Sequence, residues 1–370
     1  MIDEPRYAFG PPRLFEQKTT MTDQHTHNKQ ALAPLRAAMV DFDDRTVRAA
    51  LRDVIAKDAV IHMPHPFGDF TGPSAFYDAC YAPLFNAMPD IERRDWIFMG
   101  GPDEHGGNWI GCGGHYVGTF VGPWLDIPPT GHLTHMRFHE FYRLEEGQVV
   151  EIQTLRDIPE VMMQAGAWPM APSLGLEFCI PGPASLDGIV PGPWDAEKSH
   201  ASQQHIIDML THLKKHPSQG GPEVMEMERF WHKRMNWYGP AGIGTGRGIA
   251  GFRNWHQIPF LSGMPDRGQY LDEITYHFFG DGDYAAVTGW PNMIQTVTHD
   301  GWMGIAPSGK KITMRSLDFW RLENGKIREN WVMVDILDAY RQLGVDVFAR
   351  LREFNKVRVQ GRLPFPVGAA

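Results

Sequence analysis

The sequence predicts an α+β protein made of two tandem copies of one domain, and three features lead to that reading. First, the second half repeats the first. At a constant offset of 178, Trp124, Ile127, Pro129, Gly131, Met136, Arg137, Phe141, Arg143, Leu144, Glu145 and Gly147 meet identical residues between Trp302 and Gly325. Upstream the offset is 176, and it pairs Gly72, Phe76, Pro83, Met88, Pro89 and Asp90 with Gly248, Phe252, Pro259, Met264, Pro265 and Asp266. Second, each copy opens with apolar residues at helical spacing and closes in segments that read as strands. Third, a stretch holding Pro181, Gly182, Pro183, Pro191, Gly192 and Pro193 separates the copies, and such a run suits neither a helix nor a central strand.

In chain order, residues 1–28 are expected to be a disordered extension, with the polar run MTDQHTHNK opening at Met21. The first domain covers 29–175. Leu32, Leu35, Met39, Val47, Leu51 and Val54 repeat at helical spacing over Lys29 to Lys57. A segment ending in Pro64, a helix near Pro73 to Phe85, and strands follow. Residues 176–201 form the linker. The second domain, 202–355, has helices over Gln204 to Lys215 and Glu223 to Arg234, a segment ending in Pro240, a helix over Ile249 to Leu261, and strands again. Residues 356–370 are a tail.

The segment Thr134 to Leu144 reads as a strand whose two faces differ. Its even positions are Thr134, Met136, Phe138, Glu140, Tyr142 and Leu144; its odd positions include His135, Arg137, His139 and Arg143. Alternation sends the two sets to opposite sides. The corresponding row in the second copy is Ile312, Met314, Ser316, Asp318, Trp320 and Leu322, so the even face is the buried one. Each buried row therefore carries one carboxylate at the same place, Glu140 or Asp318. A carboxylate in apolar surroundings needs a partner or a proton. Desolvation moves its pKa toward the range useful in acid–base work, and recurrence in both copies makes Glu140 and Asp318 the leading catalytic candidates.

Composition excludes several classes. With 42% hydrophobic and 21% charged residues and a net charge of -9, nothing draws the chain to nucleic acid or to an anionic membrane. No stretch reaches the roughly 18 apolar residues of a membrane span. The N-terminus lacks the basic start and apolar run of a secretory signal, so a cytoplasmic location is expected. Cys80, Cys112 and Cys179 show no paired short spacing, which suggests neither disulfides nor a thiolate metal site.

At these residues the chain resembles the SnoaL-like polyketide cyclase family of the nuclear transport factor superfamily. The resemblance rests on the turns Trp124 to Gly131 and Trp302 to Gly309, and on Phe141-Tyr-Arg-Leu-Glu-Glu-Gly147 with its copy Phe319-Trp-Arg-Leu-Glu-Asn-Gly325. Lys326-Ile-Arg-Glu329, the closing Arg341-Gln-Leu-Gly344 and the Met-Pro-Asp motifs at Met88 and Met264 add to it. It implies two cone-shaped α+β barrels, each a curved, largely antiparallel sheet wrapped around helices with a deep pocket. It also implies cofactor-free proton transfer by pocket carboxylates and histidines. The halves would pair as an internal pseudo-dimer that buries His135, Arg137 and His139, with a homodimer as a further option. The family's usual catalytic Asp falls at Thr154 and Val332, neither of them a base, and the neighbouring pocket position is Ile152 or Asn330.

The same resemblance puts His62 in a pocket just ahead of Pro64, with Tyr238 as its counterpart. A histidine there suits proton transfer. His115 and Tyr116 lie on the strand leading to the Pro-Pro turn. Together with Asn330, Trp237, Ser316 and Phe138 they complete the expected substrate contacts. The glycine-rich run Gly239 to Gly248 lacks the Gly-Lys-Ser/Thr ending of a phosphate loop and reads as a flexible lid or pocket rim, with Arg247 able to guide an anion. No metal is expected: His135 and His139 share a strand face but stand roughly 13 Å apart, and His62 with His65 has no third ligand. No cofactor is expected either. The reading is thus an enzyme, a lyase, isomerase/cyclase or hydrolase acting on a small organic, polyketide-like or aromatic molecule; the alternative is a binding protein with two pockets.

Overall fold

A computed structural model describes residues 21–359. Each half folds as a six-stranded mixed sheet with helices packed on one face. In the first half the strands are β1 (Ile55–His62), β2 (Asp69–Thr71), β3 (Glu92–Pro102), β4 (Asn108–Thr119), β5 (Leu133–Glu145) and β6 (Gln148–Arg156), in the order β2-β1-β6-β5-β4-β3. All neighbours are antiparallel except β1 and β6. The second half has β7 (Trp231–Tyr238), β8 (Gly246–Arg247), β9 (His277–Asp281), β10 (Tyr284–Thr288), β11 (Met293–Thr296), β12 (Lys311–Met314), β13 (Ser316–Glu323) and β14 (Lys326–Val334). Its main sheet runs β8-β7-β14-β13-β10-β9, with β11 and β12 paired beside it.

The helices differ in detail from the sequence expectation. The first spans Met21–Val40 and so occupies residues 21–28 of the expected extension, while residues 1–20 lie outside the described residues. The next begins at Asp44, where Asp43 caps it by accepting from the Thr46 N–H at 2.9 Å. It stops at Val54, because Ile55 already belongs to β1 and pairs with β6. In the second copy the expected helix Glu223 to Arg234 is broken. Pro222–Met225 form a 3-10 turn, Glu226 takes φ 46°, only Met227–Phe230 are α-helical, and Trp231 opens β7 in parallel pairing with β14. Pairing with the neighbouring strand overrides the local pattern there. A helix Ala196–Leu213 starts within the expected linker, and another, Val347–Val359, enters the expected tail.

The outer faces of the two sheets pack on each other, and the contacts are reciprocal. Arg137 bonds Asp157 at 3.3 Å, and Asp157 accepts from the Ala241 N–H at 3.0 Å. In the other half Arg315 bonds Asp335 at 3.0 Å, and Asp335 accepts from the His65 N–H at 3.0 Å. The rings of Phe141 and Phe319, equivalent residues of the repeat, stack with centroids 4.9 Å apart. Arg137 also donates to the carbonyls of Gly239 and Val332 across the seam, and His139 donates to that of Leu317. Buried Lys29 pairs with buried Asp281 of the other half. The glycine-rich run belongs to this seam: Leu176 and Thr245 bridge, Gly242 N–H donates to Glu177, and the run contributes only Ile243 to the cavity described below.

Close approach across the seam demands glycine at Gly111, among other positions. A Cβ on Gly111 would lie 2.6 Å from the Phe319 ring. Gly111→Ala is therefore expected to cost about 1–3 kcal/mol through overpacking, seen as a lower urea midpoint with an unchanged slope.

Candidate active site

Period-two alternation on β13 sends Ser316, Asp318 and Trp320 inward and Leu317 and Phe319 to the seam. The inward row forms one wall of a cavity of about 90 Å³. Trp237 from β7, Asn330 from β14, His256 from the helical segment after Phe252, and Arg267 from the loop after Met264 complete its polar and aromatic lining. The remaining lining is mostly Met, Leu, Val, Phe and Trp.

The polar groups in this cavity are electrostatically coupled. Burial pushes the Asp318 carboxyl up to about 7, against the Ser316 hydroxyl, which donates to Oδ1 at 2.6 Å, and the more distant pull of Arg137 and Arg267. Although enclosed by protein, Asp318 keeps partial solvent contact through the cavity. Burial also holds the Arg267 guanidinium below its ordinary value, with Tyr276 and Asp318 opposing that shift. The Tyr276 phenol is pushed up to about 12 by burial. His256 stacks on Trp237 with centroids 4.1 Å apart, and burial aided by Arg267 drives its pKa down to about 3. At neutral pH the cavity thus presents a carboxyl poised between its two forms, a neutral imidazole and a half-buried cation.

The equivalent place in the first half is arranged differently. Glu140 is almost wholly buried, and three donors saturate it: Arg93 at 2.6 Å and Tyr142 at 2.5 Å on Oε2, and Tyr116 at 3.0 Å on Oε1. Tyr116 also meets Tyr81 at 3.2 Å, Arg156 lies over the Tyr81 ring at 4.6 Å, and Phe138 lies beneath Arg93 at 4.4 Å. This is a closed network of fixed charges and hydroxyls. Asp318 has no arginine within salt-bridge distance among the described residues.

The structure therefore divides the residues singled out from the sequence. Asp318, Ser316, Asn330 and Trp237 meet in one cavity, and Glu140, Tyr116 and Phe138 meet in the closed network. His62, Tyr238 and His115 join neither, because Ile61 and Trp237 take the inward positions of β1 and β7 and leave their neighbours on the outer face. His62 bonds Asp69 at 2.9 Å and stacks on Trp290. Tyr238 stacks on Trp331 in the seam and donates to Glu329 at 3.4 Å. His115 lies beside Trp96 and His135. Arg267 and His256 were not singled out from the sequence. The signal for both was a break in the repeat: their counterparts at the 176 offset are Ile91 and Cys80, so an apolar and a small residue of one copy become a cation and an imidazole in the other.

The profile of the SnoaL-like polyketide cyclase family matches residues 33–165 and 223–343. Among solved structures the protein is similar to IdmH from Streptomyces antibioticus, at 25% identity over 38% of this chain and 98% of that one, with a TM-score of 0.31. A SnoaL-like protein from Jannaschia sp. CCS1 is similar at 20% identity over 40% of this chain and 95% of its own, with a TM-score of 0.32. AclR from Streptomyces galilaeus is similar at 18% identity over 38% of this chain and 97% of its own, with a TM-score of 0.32. No curated protein matches the chain. No helix among the described residues is long and apolar enough to cross a membrane. With one family profile matching both repeats and more than half of the chain, the protein belongs to the SnoaL-like polyketide cyclase family, as two copies in tandem.

Proposed function

We propose that the protein is a cofactor-independent acid–base enzyme whose second domain carries the active site and acts on a small polyketide-like or aromatic carbonyl compound. The observation that carries this reading is Asp318, a carboxyl raised to about 7 in the wall of an apolar cavity that also holds Arg267. A general base works best with a pKa near the operating pH. In the proposed step the Asp318 carboxylate takes a proton from a carbon next to the substrate carbonyl, and the Arg267 cation stabilises the enolate oxygen that forms. Return of the proton at another atom gives isomerisation; attack of the enolate carbon on a second carbonyl, with the proton passing from Asp318 to the alkoxide that forms, gives ring closure. Trp237 and Trp320 offer flat surfaces for an aromatic substrate. The first domain serves as a structural partner, its carboxylate being occupied by Arg93 and two tyrosines. The reciprocal contacts of the seam support treating the two halves as the internal equivalent of a homodimer. Three free cysteines suit a reducing, cytoplasmic setting.

Carbon-acid exchange tests this reading without knowledge of the natural substrate. A panel of aromatic 1,3-dicarbonyl compounds is incubated in deuterated buffer with the wild type, Asp318→Asn and Arg267→Gln, and deuterium uptake is followed by NMR. The wild type should accelerate exchange of at least one compound, with a rate that rises as pH passes about 7 and Asp318 loses its proton. Asp318→Asn should remove most of the acceleration. Compounds that raise the melting temperature of all three proteins while none catalyses exchange would favour a binding protein instead.

A further inference from the structure

His256 lines the same cavity as Asp318 and Arg267 but has no part in the step proposed for them. It lies in a wide, π-type helical turn, Arg253–Gln257, set between the ordinary helical pieces Gly248–Phe252 and Ile258–Gly263. Such turns are frequent where a helix serves a functional site. The first half has the same turn, Tyr77–Tyr81, with the fully buried Cys80 at the equivalent place. The backbone device is therefore common to both copies, and only the second sets an imidazole on it.

Three aromatic rings hold that imidazole. Trp237 stacks on it with centroids 4.1 Å apart and planes 15° from parallel, and Phe252 and Phe260 flank it at 5.5 Å each. Stacking occupies the face of the ring and leaves its edge, where both nitrogens lie. Among the described residues neither nitrogen has a hydrogen-bond partner, and neither is sealed off, so the edge is open to the cavity. Burial and the Arg267 cation keep the ring neutral, with its pKa down at about 3, so it carries one N–H and one lone pair. The cavity thus offers two donors of different kinds, a guanidinium and a neutral imidazole. The enolate of a mono-ketone has one oxygen to place, whereas that of a 1,3-dicarbonyl shares its charge between two.

We propose that His256 is a second substrate-contacting residue of this site: its N–H donates to one oxygen of a 1,3-dicarbonyl while Arg267 meets the other, so that the cavity selects dicarbonyl compounds over mono-ketones. The inference rests on reading the cavity as the substrate site, and it adds a selectivity that proton removal by Asp318 does not itself supply. A donor that stays neutral stabilises the shared negative charge without competing with Asp318 for the proton.

Binding to the full-length protein tests the proposal, with pentane-2,4-dione and pentan-2-one as probes of matched length, titrated by NMR. The ratio of their dissociation constants includes the difference in their solvation, which is the same for every variant, so a change in the ratio on substitution isolates the His256 contact. His256→Phe keeps a flat ring on Trp237 and removes the nitrogens. In that variant the preference for the dione should fall roughly threefold to tenfold, the size of one net hydrogen bond. His256→Gln retains N–H donors and should keep part of the preference. In the wild type the ring nitrogen resonances of His256 should move with the dione and stay in place with pentan-2-one. An unchanged preference in His256→Phe, equal displacement of the ring resonances by both probes, or binding of neither probe at tens of millimolar would overturn the proposal; the wild-type spectra decide the matter if a variant does not fold. Deuterium exchange separates this inference from the catalytic reading. A lost preference with no wild-type exchange would retain the His256 contact and remove the catalysis, and exchange with an unchanged preference would do the opposite.

Discussion

Asp318→Asn is expected to leave stability unchanged at pH 4 and to raise it at pH 8 by on the order of 2–4 kcal/mol. The carboxyl has its folded pKa lifted from 3.8 to about 7, chiefly by burial. Because the folded state holds its proton more tightly than the unfolded chain, the stability this group confers is full below about pH 4 and drains away as pH rises through 7. Asparagine keeps the shape and does not titrate, so the variant escapes that loss. The Ser316 hydroxyl, which donates to Oδ1, can donate to the amide oxygen instead. Denaturant titrations at the two pH values check the result. An equal gain at both would point to packing and remove the argument for a poised carboxyl. The same substitution should lower turnover by about 10²–10⁴-fold, the usual contribution of a general base. A more stable but less active variant is the trade expected where a cavity retains a group it is costly to ionise.

Glu140→Gln, the same chemical change at the equivalent position, should do the reverse and destabilise the protein by about 3 kcal/mol. The carboxylate neutralises Arg93, of which only 2% is exposed, and it accepts from two phenols. Removing its charge strands a buried guanidinium. Asp95, which bonds Arg93 Nε at 2.8 Å, remains and limits the damage to the low end of the range for a broken buried pair. An amide also offers Arg93 its own N–H donors, adding a clash of like groups. Unfolding by urea at pH 7 measures the loss. A variant as stable as the wild type would mean that Asp95 alone suffices for Arg93 and that Glu140 is not the network's keystone.

Much of the fold was legible because it is written twice. Period-two alternation from Thr134 to Leu144 and its copy both marked the inward row, and the strands β5 and β13 follow it. Local pattern misled where tertiary pairing decided the outcome. Glu223 to Arg234 has helical spacing, yet its last part is claimed by parallel pairing with β14. The site was less legible than the fold, for a related reason. Shared residues such as Asp157 with Asp335 and Arg137 with Arg315 turned out to hold the seam together. The cavity is built where the copies disagree: Arg267 against Ile91, His256 against Cys80, Asn330 against Ile152. His62 and Tyr238 were placed one residue out of phase, since on a strand the adjacent position faces the opposite way.

The stack of Phe141 on Phe319 joins two surfaces that, in separate chains, would have to be encoded by one gene and change together. Covalent fusion lifts that constraint. A tether keeps the two partners at high effective concentration, so the pairing persists even when one partner's contacts weaken, and each partner can drift by itself. One barrel has filled its interior with an arginine–carboxylate–tyrosine cluster, and the other has kept an open interior with a poised acid. Fusion thus permits division of labour: a rigid half that supplies stability allows its sibling to carry a core whose acid is costly to ionise and chemically useful.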